Sequence, residues 1–573
     1  MTTTTDAEAR CWEWKLVAVA AAAVLLGVLC VTVFPTTLAD SPSAVPVDLV
    51  LDVAAATLLA IASMLVLGAG VHHRWFFSGR QRLRRDLGGP AGWLDVHDLR
   101  DTCGERAVLA EAENFWRRPT LSVEQAGWVV GEPISGRWPT RSALMYAPYP
   151  RSAIVVGPQG AGKSQYAIPL ILDAPAAEIV TSTKTELYDA TAGAREHNHG
   201  PVYVFDVLGA TGDAHNFPFD PVWGCTDAQR TDETAAAMIR GASINKRQNE
   251  EFWADVGREI LRCYLLAAAA TGLSSFDVQR WTHDPDDPQP VEILTRYSSR
   301  VPHGWLGLLQ TRIHTNPRQR DGYYATVASC MDFLALPGAA SACRAPVGVR
   351  FDMEGFLAER CTLYIIGDNN VRGIAPLMTA LTEALAYEAR QVAITTKRLA
   401  EPLVMVLDEV ANLTPVDLPK WAAEFRGWGI MPIPIIQSRS QLDQVWGEDN
   451  GQIIWDNMVT KVVLPALGDE RFLESLSRLA GERTVRRTTN TTRNGGQGSM
   501  GLERVVPLHV IRSLPQFHAF VLGASRHPAV VAYEPGFRRL QREHAATARQ
   551  PAWPRWWRHP LRAVANSLEL GRR

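Results

Sequence analysis

At 573 residues the chain is too long for one hydrophobic core, so two or more domains with appendages are expected, and a small disulfide-stapled module is excluded. Its 58 basic and 60 acidic side chains leave a net charge of −2, an average that hides a basic carboxyl-terminal stretch carrying Arg538, Arg539, Arg542, Arg549, Arg555, Arg558 and Arg562. The eight cysteines show no C-x-x-C and no paired Cys/His spacing, which argues against structural zinc and a disulfide framework and fits buried thiols in a reducing compartment.

Two apolar runs open the chain, residues 16–34 broken only by Thr32 and residues 53–71 with Thr57 and Ser63 as polar members. Each is long enough to cross a bilayer core as a helix. The connection between them carries Asp40, Asp48 and Asp52 and no basic residue, whereas Arg74, Arg80, Arg82, Arg84 and Arg85 follow the second run. The positive-inside rule therefore predicts a two-pass cell-membrane anchor with a short external loop and both termini in the cytoplasm. A cleaved signal peptide over the first run is the competing reading, although its apolar core is long for one.

After short strand-like stretches at 128–131 and 143–146, the run Ala153-Ile154-Val155-Val156 reads as a buried strand. It leads directly into Gly157-Pro158-Gln159-Gly160-Ala161-Gly162-Lys163-Ser164, a complete G-x-x-x-x-G-K-[ST] phosphate-binding loop. In such a loop backbone N–H groups curl around the phosphates, Lys163 reaches the β- and γ-phosphates, and the Ser164 hydroxyl ligates Mg²⁺. The helix from Gln165 adds its positive dipole end and carries Pro169 early in its length. ATP and Mg²⁺ are the expected ligands, with residues 157–165 as the binding set. An ordinary Gly-rich turn is the alternative.

Strands at 177–180 and 202–205 then alternate with helical segments, as in a parallel βαβ sheet. Far downstream, Leu403-Val404-Met405-Val406-Leu407-Asp408-Glu409 is an apolar strand ending in two carboxylates, the form of a Walker B element. Asp408 would hold the Mg²⁺ through its shell and Glu409 would polarise the water that attacks the γ-phosphate. A further strand at 431–436 ends in Gln437, placed to sense the γ-phosphate or orient water. Its prolines, Pro432 and Pro434, predict irregular pairing.

The interval from Lys163 to Asp408 is far longer than two or three βα units require. Helical patterns at 233–244, 252–271 and 323–336 predict an inserted all-α domain at 231–347, after which a strand at 362–366 and a helix at 376–390 resume the sheet. Near the end, residues 483–500 are polar and Gly-rich with Arg483, Arg486, Arg487 and Arg493, and read as a mobile loop able to track a phosphate backbone or simply be solvated. The tail at 537–573 interleaves Trp553, Trp556 and Trp557 with arginines and prolines, and is expected to be disordered in isolation.

This order of elements resembles the type IV coupling proteins, hexameric membrane ATPases that deliver DNA to conjugative secretion channels. Leu407-Asp408-Glu409-Val410-Ala411-Asn412-Leu413 is close to that family's Leu-Asp-Glu-Phe-Ala-Asn-Leu signature. Gln437-Ser438 with Ser440-Gln441-Leu442 and Gly447 is similar to its Gln-Ser…Ser-Gln-Leu…Tyr-Gly block, with Trp446 in place of Tyr. Ser182-Thr183-Lys184-Thr185-Glu186-Leu187 departs from the family's Asp-Pro-Lys-Gly-Glu-Leu but keeps Lys184 and Glu186. Arg426-Gly427-Trp428-Gly429 resembles the family's Arg-Gly-x-Gly stretch, making Arg426 a candidate finger toward a neighbouring subunit's nucleotide.

The resemblance implies an α/β fold: a RecA-like P-loop ATPase domain (73–230 and 348–536) with the inserted all-α domain, preceded by two transmembrane helices within 16–72 and a cytoplasmic stretch at 1–15. It implies an ATP-hydrolysing homo-hexamer whose partners are the membrane, secretion-channel proteins and single-stranded DNA with attached relaxase. Two other functions compete, a septal-type double-stranded DNA translocase and an ATPase for protein secretion without DNA.

Overall fold

The computed structural model describes residues 91–135, 143–212, 217–243, 251–344, 351–368, 370–371, 373–489 and 497–548, with Leu83 and Leu87. The chain divides into two compact units after Gly88, and all the strands belong to the second, from Gly89 onward. The transmembrane helices expected at 16–34 and 53–71, and the tail beyond 548, lie outside the described residues, whereas the first part of the tail, expected to be disordered, is a helix over Gly536–Ala548 whose Arg539 pairs with Asp173. Among the described residues no helix is long and apolar enough to cross a membrane.

Thirteen strands are formed among the described residues: β1 (Gly127–Pro133), β2 (Met145–Pro148), β3 (Ala153–Val156), β4 (Glu178–Ser182), β5 (Val202–Asp206), β6 (Thr362–Ile366), β7 (Leu403–Asp408), β8 (Ile430–Ile436), β9 (Thr460–Val463), β10 (Glu482–Thr489), β11 (Gln497–Arg504), β12 (His518–Leu522) and β13 (Ala529–Ala532). Eleven of them make one sheet in the order β2-β1-β13-β12-β9-β3-β8-β7-β4-β6-β5. From β9 to β5 every neighbour is parallel, and from β2 to β9 the pairing is antiparallel. The parallel strands β3, β4, β6, β7 and β8 are buried along their whole length, which is why all but β4, with its Glu178, Thr181 and Ser182, read as near-continuous apolar runs. Leaving β3, the chain crosses past β8 and β7 to reach β4, and this switch leaves the carboxyl ends of β3, β8 and β7 side by side.

β8 is central despite its two prolines. Its ladder with β7 is continuous from Leu403↔Ile430 to Asp408↔Ile435, but with β3 only Val155↔Ile435 and Val156↔Ile436 pair. The irregularity expected from Pro432 and Pro434 thus falls on the β3 side, where missing N–H donors shorten the ladder.

Every described element between β5 and β6 other than short turns is a helix, including Ala228–Ala242, Glu251–Thr271, Ser275–His283, Gln289–Arg296, Trp305–Ile313 and Pro317–Ser329. Glu251–Thr271 buries Ile260, Leu261, Tyr264, Leu265 and Leu266, the stripe visible in its sequence. The helix expected at 323–336 instead starts at Pro317, behind an Asn316 side chain that accepts from the Arg318 N–H, and ends at Ser329. Asn-Pro is a start signal that the apolar pattern alone does not register. The long helix before the Walker B strand also runs past its expected limits, from Ile374 to Thr396.

The segment expected to be a mobile loop is a two-stranded hairpin. β10 and β11 pair in unbroken register from Glu482↔Arg504 to Thr489↔Gln497. The β-branched Thr484, Val485, Thr488 and Thr489 favour extended backbone, and glycines and charge mask that pattern in the sequence. Residues 490–496 at its turn lie outside the described residues.

Candidate nucleotide site

The phosphate loop leaves β3 with the Gly157 N–H donating to the Ile436 carbonyl of β8 (3.0 Å), so its entry is fixed by the sheet itself. Gly160 (φ +81°) and Gly162 (φ +94°) take the left-handed conformation that turns the loop, and Gly162 caps the helix Lys163–Asp173. A Cβ on Gly162 would also lie 2.9 Å from the Tyr533 hydroxyl. Gln159 and Gly160 face outward, Pro158 is half-buried and Ala161 is buried. Lys163 Nζ lies 3.4 Å from the Pro158 carbonyl and 3.7 Å from Glu409 Oε1. Ser164 is partly exposed in the first helical turn, where the helix dipole favours an anion. Gln165, expected in the binding set, has its side-chain oxygen engaged elsewhere, accepting from the Phe537 N–H (3.0 Å) at the start of the helix Gly536–Ala548.

β7 delivers the two carboxylates, as its sequence predicts. Asp408 is buried, and its Oδ1 has no hydrogen-bond partner among the described residues. Burial, then the neighbouring Glu409 charge, push its carboxyl up to about 7 against the opposing pull of Lys163. An orphaned, desolvated carboxylate oxygen near the start of a phosphate-loop helix suits a hard divalent cation. Among the described residues no three His, Cys, Asp or Glu side chains form a metal cage. Magnesium held by one carboxylate, a hydroxyl and phosphate oxygens needs none.

Glu409 stands just past the strand in the left-handed region (φ +54°), a costly conformation for a residue with a Cβ. Its oxygens are held by amides: Gln437 Nε2 donates to both (2.8 Å each), and Asn412 Nδ2 donates to Oε2 (3.0 Å). Gln437 is itself fixed, its backbone N–H donating to Gln441 Oε1 (2.7 Å). Lys163, Asp408, Glu409 and Gln437 therefore converge where β3, β7 and β8 end. Neither Asn412 nor Gln441 stands out as a site residue in the sequence. The only signal is their place inside the two signature blocks.

Arg426 is not brought to this site within its own chain. It occupies the last turn of the helix Leu418–Trp428, half-exposed and 4.0 Å from Glu111, at the amino end of β8 rather than the carboxyl end. The Lys184 N–H donates to Ser182 Oγ (3.2 Å), and Glu186 opens the helix Glu186–Asn198 close enough to contribute to the raised Asp408. A cavity of about 500 Å³ lined by Phe219, Trp223, Leu381 and Tyr387 touches none of the phosphate loop.

Residues 402–516, from β7 through the hairpin, match the family described as the TraM recognition site of TraD and TraG. The bacterial conjugative coupling protein TrwB, in the unbound form TrwBdeltaN70, is similar in structure at 19% identity over 74% of this chain and 91% of that one, with a TM-score of 0.56. The chain has the fold of the conjugative coupling proteins. TrwB in complex with ADP and Mg²⁺ is similar at 17% identity, over 73% of this chain and 91% of that one, with a TM-score of 0.51. TrwB with the non-hydrolysable ATP analogue ADPNP matches at 20% identity, 67% and 85% coverage and a TM-score of 0.50. No curated protein matches the chain. The coupling-protein likeness thus rests on the signature blocks, the matched segment and the fold together.

Proposed function

We propose that the chain is a membrane-anchored ATPase of type IV secretion, a coupling protein that recruits relaxase-bound single-stranded DNA and drives it toward the channel in conjugation. The observation that carries this is the convergence of Lys163, Asp408, Glu409 and Gln437 on one edge of a coupling-protein fold. Bound Mg²⁺ would neutralise charge on the β- and γ-phosphates, with Asp408 and Ser164 holding it. Lys163 would bind the same phosphates, Glu409 would accept a proton from the attacking water, and Gln437 would orient that water or read the γ-phosphate.

The ATPase domain would comprise residues 73–230 and 348–536, and the helices of 231–347 would select substrate. Both termini and the motor would face the cytoplasm behind a two-pass anchor at 16–72. Six copies in a ring would let Arg426 reach a neighbour's nucleotide and let the basic hairpin of β10 and β11 line a path for a phosphate backbone. The match at 402–516 supports a docking partner of the TraM kind for that segment.

ATP turnover by the full-length protein in detergent or nanodiscs tests the motor. Lys163→Ala and Glu409→Gln should each reduce kcat by about 10²-fold or more. Undiminished turnover in both would end the assignment. For the substrate, a donor strain lacking the protein should lose conjugative transfer and regain it only with the wild-type chain.

A further inference from the structure

Glu409 is more constrained than a water-activating carboxylate needs to be for folding. Its left-handed backbone is closed by the Asn412 N–H (2.8 Å) and Leu413 N–H (3.0 Å) donating to its own carbonyl, so the short turn Val410–Leu413 already holds the main chain. The side-chain contacts fix, besides the turn, where the carboxylate points. Oε2 receives Asn412 Nδ2, both oxygens receive Gln437 Nε2, and Gln437 is oriented through its main chain by Gln441 on the following helix Ser440–Trp446. Lys163 approaches Oε1 without a direct hydrogen bond.

We infer that Asn412 and Gln441 are positioning residues for the general base, forming with Gln437 an amide cradle that sets where Glu409 presents its oxygens to water. The inference rests on the ATPase reading above. The chemistry is specific about which atoms matter. Asn412 acts through a donor, so a side chain of the same shape without that donor should fail. Gln441 acts through an acceptor, so any side chain that keeps an oxygen there should serve. Both roles are taken at the transition state rather than in nucleotide binding, because neither amide lies in the phosphate loop. A base misplaced by a fraction of an ångström loses rate without losing substrate.

The test compares kcat with KM for ATP in full-length Asn412→Asp, Asn412→Ala, Gln441→Ala and Gln441→Glu, alongside Glu409→Gln and a fluorescent ADP analogue for binding. Asn412→Asp preserves the turn but replaces the donor with a carboxylate facing Glu409. It should lower kcat about tenfold, a part of the roughly 10²–10⁴-fold that a positioned general base supplies, with KM and nucleotide affinity unchanged. Asn412→Ala, which removes the donor without adding charge, should lower kcat in the same direction. Gln441→Ala should do likewise and Gln441→Glu should restore it. Equal kcat in Asn412→Asp and wild type, or failure of Gln441→Glu to rescue while Gln441→Ala is impaired, overturns the cradle. Loss of nucleotide binding in Asn412→Asp also overturns it, since the residue would then be structural. If Glu409→Gln itself turns over ATP normally, the ATPase reading falls and takes the cradle with it. That outcome is distinct from a normal Asn412→Asp beside a dead Glu409→Gln.

Discussion

Two buried carboxylates stand at opposite ends of the parallel strands, and their surroundings differ in one respect that separates structure from function. Glu178 opens β4, fully buried, 3.4 Å from Arg195 Nε. Arg195 is in turn anchored by the carbonyl of Ala176 (2.7 Å), the carbonyl of Ala174 and the Thr362 hydroxyl (2.9 Å). Asp408 closes the adjacent β7, also buried; like both oxygens of Glu178, its Oδ1 accepts no hydrogen bond among the described residues. Burial raises both carboxyls, that of Asp408 to about 7, while the Arg195 guanidinium opposes the rise at Glu178. The countercharge for Glu178 is a buried arginine, whereas the cation that opposes the rise at Asp408 is Lys163 of the phosphate loop. A buried acid opposed by the phosphate-loop lysine at the carboxyl edge of a parallel sheet suits a binding site, whereas one paired with a buried arginine at the amino edge is a staple.

The strongest way to break this contrast is at the staple. Arg195→Met should destabilise the protein by about 3–5 kcal/mol, because it leaves Glu178 buried and unpaired. Denaturant midpoints measure it. Pairing that change with Glu178→Leu should recover most of the loss, since an apolar pair of similar volume is close to neutral in such sites. If Arg195→Met is as stable as wild type, Glu178 has a way of being satisfied that the fold does not display, and the contrast with Asp408 collapses.

Asp408→Asn sharpens the other side, with a smaller effect of opposite sign. Because the native carboxyl is held above its ordinary value of 3.8, the folded state binds that proton more tightly than the unfolded chain. The ionised form therefore penalises the native state fully above about pH 7, and the penalty fades as pH falls toward 4. Without nucleotide or Mg²⁺, Asp408→Asn should melt a few degrees higher than wild type at pH 8, at about 2–4 °C per kcal/mol relieved. The gap should narrow toward pH 5. Added Mg²⁺ with ADP should raise the wild-type Tm more than that of the variant. A variant that melts lower at pH 8 would show that the Asp408 carboxylate is satisfied and supports the fold.

Features legible in the sequence are those of short range. The phosphate loop, the apolar runs of β3 and β7 and the paired acids Asp408 and Glu409 are contiguous, and the structure places them as the pattern predicts. What β8 tolerates is half legible: Pro432 and Pro434 announce a weakened ladder but not the side on which it fails. The staple is invisible because Arg195 meets Glu178 only once the helix Glu186–Asn198 packs back over the sheet. Asn412 and Gln441 are hidden for the same reason, since an amide's role depends on which partner a turn brings within about 3 Å. The hairpin of β10 and β11 passes for a loop because its glycines and arginines outweigh an alternation that only pairing makes meaningful.

Arg426 gives the smallest effect on the folded chain and the clearest test of whether the site is complete in one copy. It belongs to the amino edge with the staple, half-exposed and 4.0 Å from Glu111, so Arg426→Ala should alter stability by no more than about 0.5 kcal/mol. If it acts on a nucleotide at all, it must be another subunit's, because its own phosphate loop lies at the far end of β8. Turnover should then fall in Arg426→Ala without a change in melting. Mixing Arg426→Ala with Lys163→Ala chains should restore part of it, since a Lys163→Ala subunit can lend its arginine to an Arg426→Ala neighbour whose phosphate loop is intact. Turnover equal to wild type in Arg426→Ala alone would remove the finger. Impaired turnover without recovery on mixing would return Arg426 to its own subunit, as a residue that shapes the amino edge and reaches the nucleotide only through the sheet.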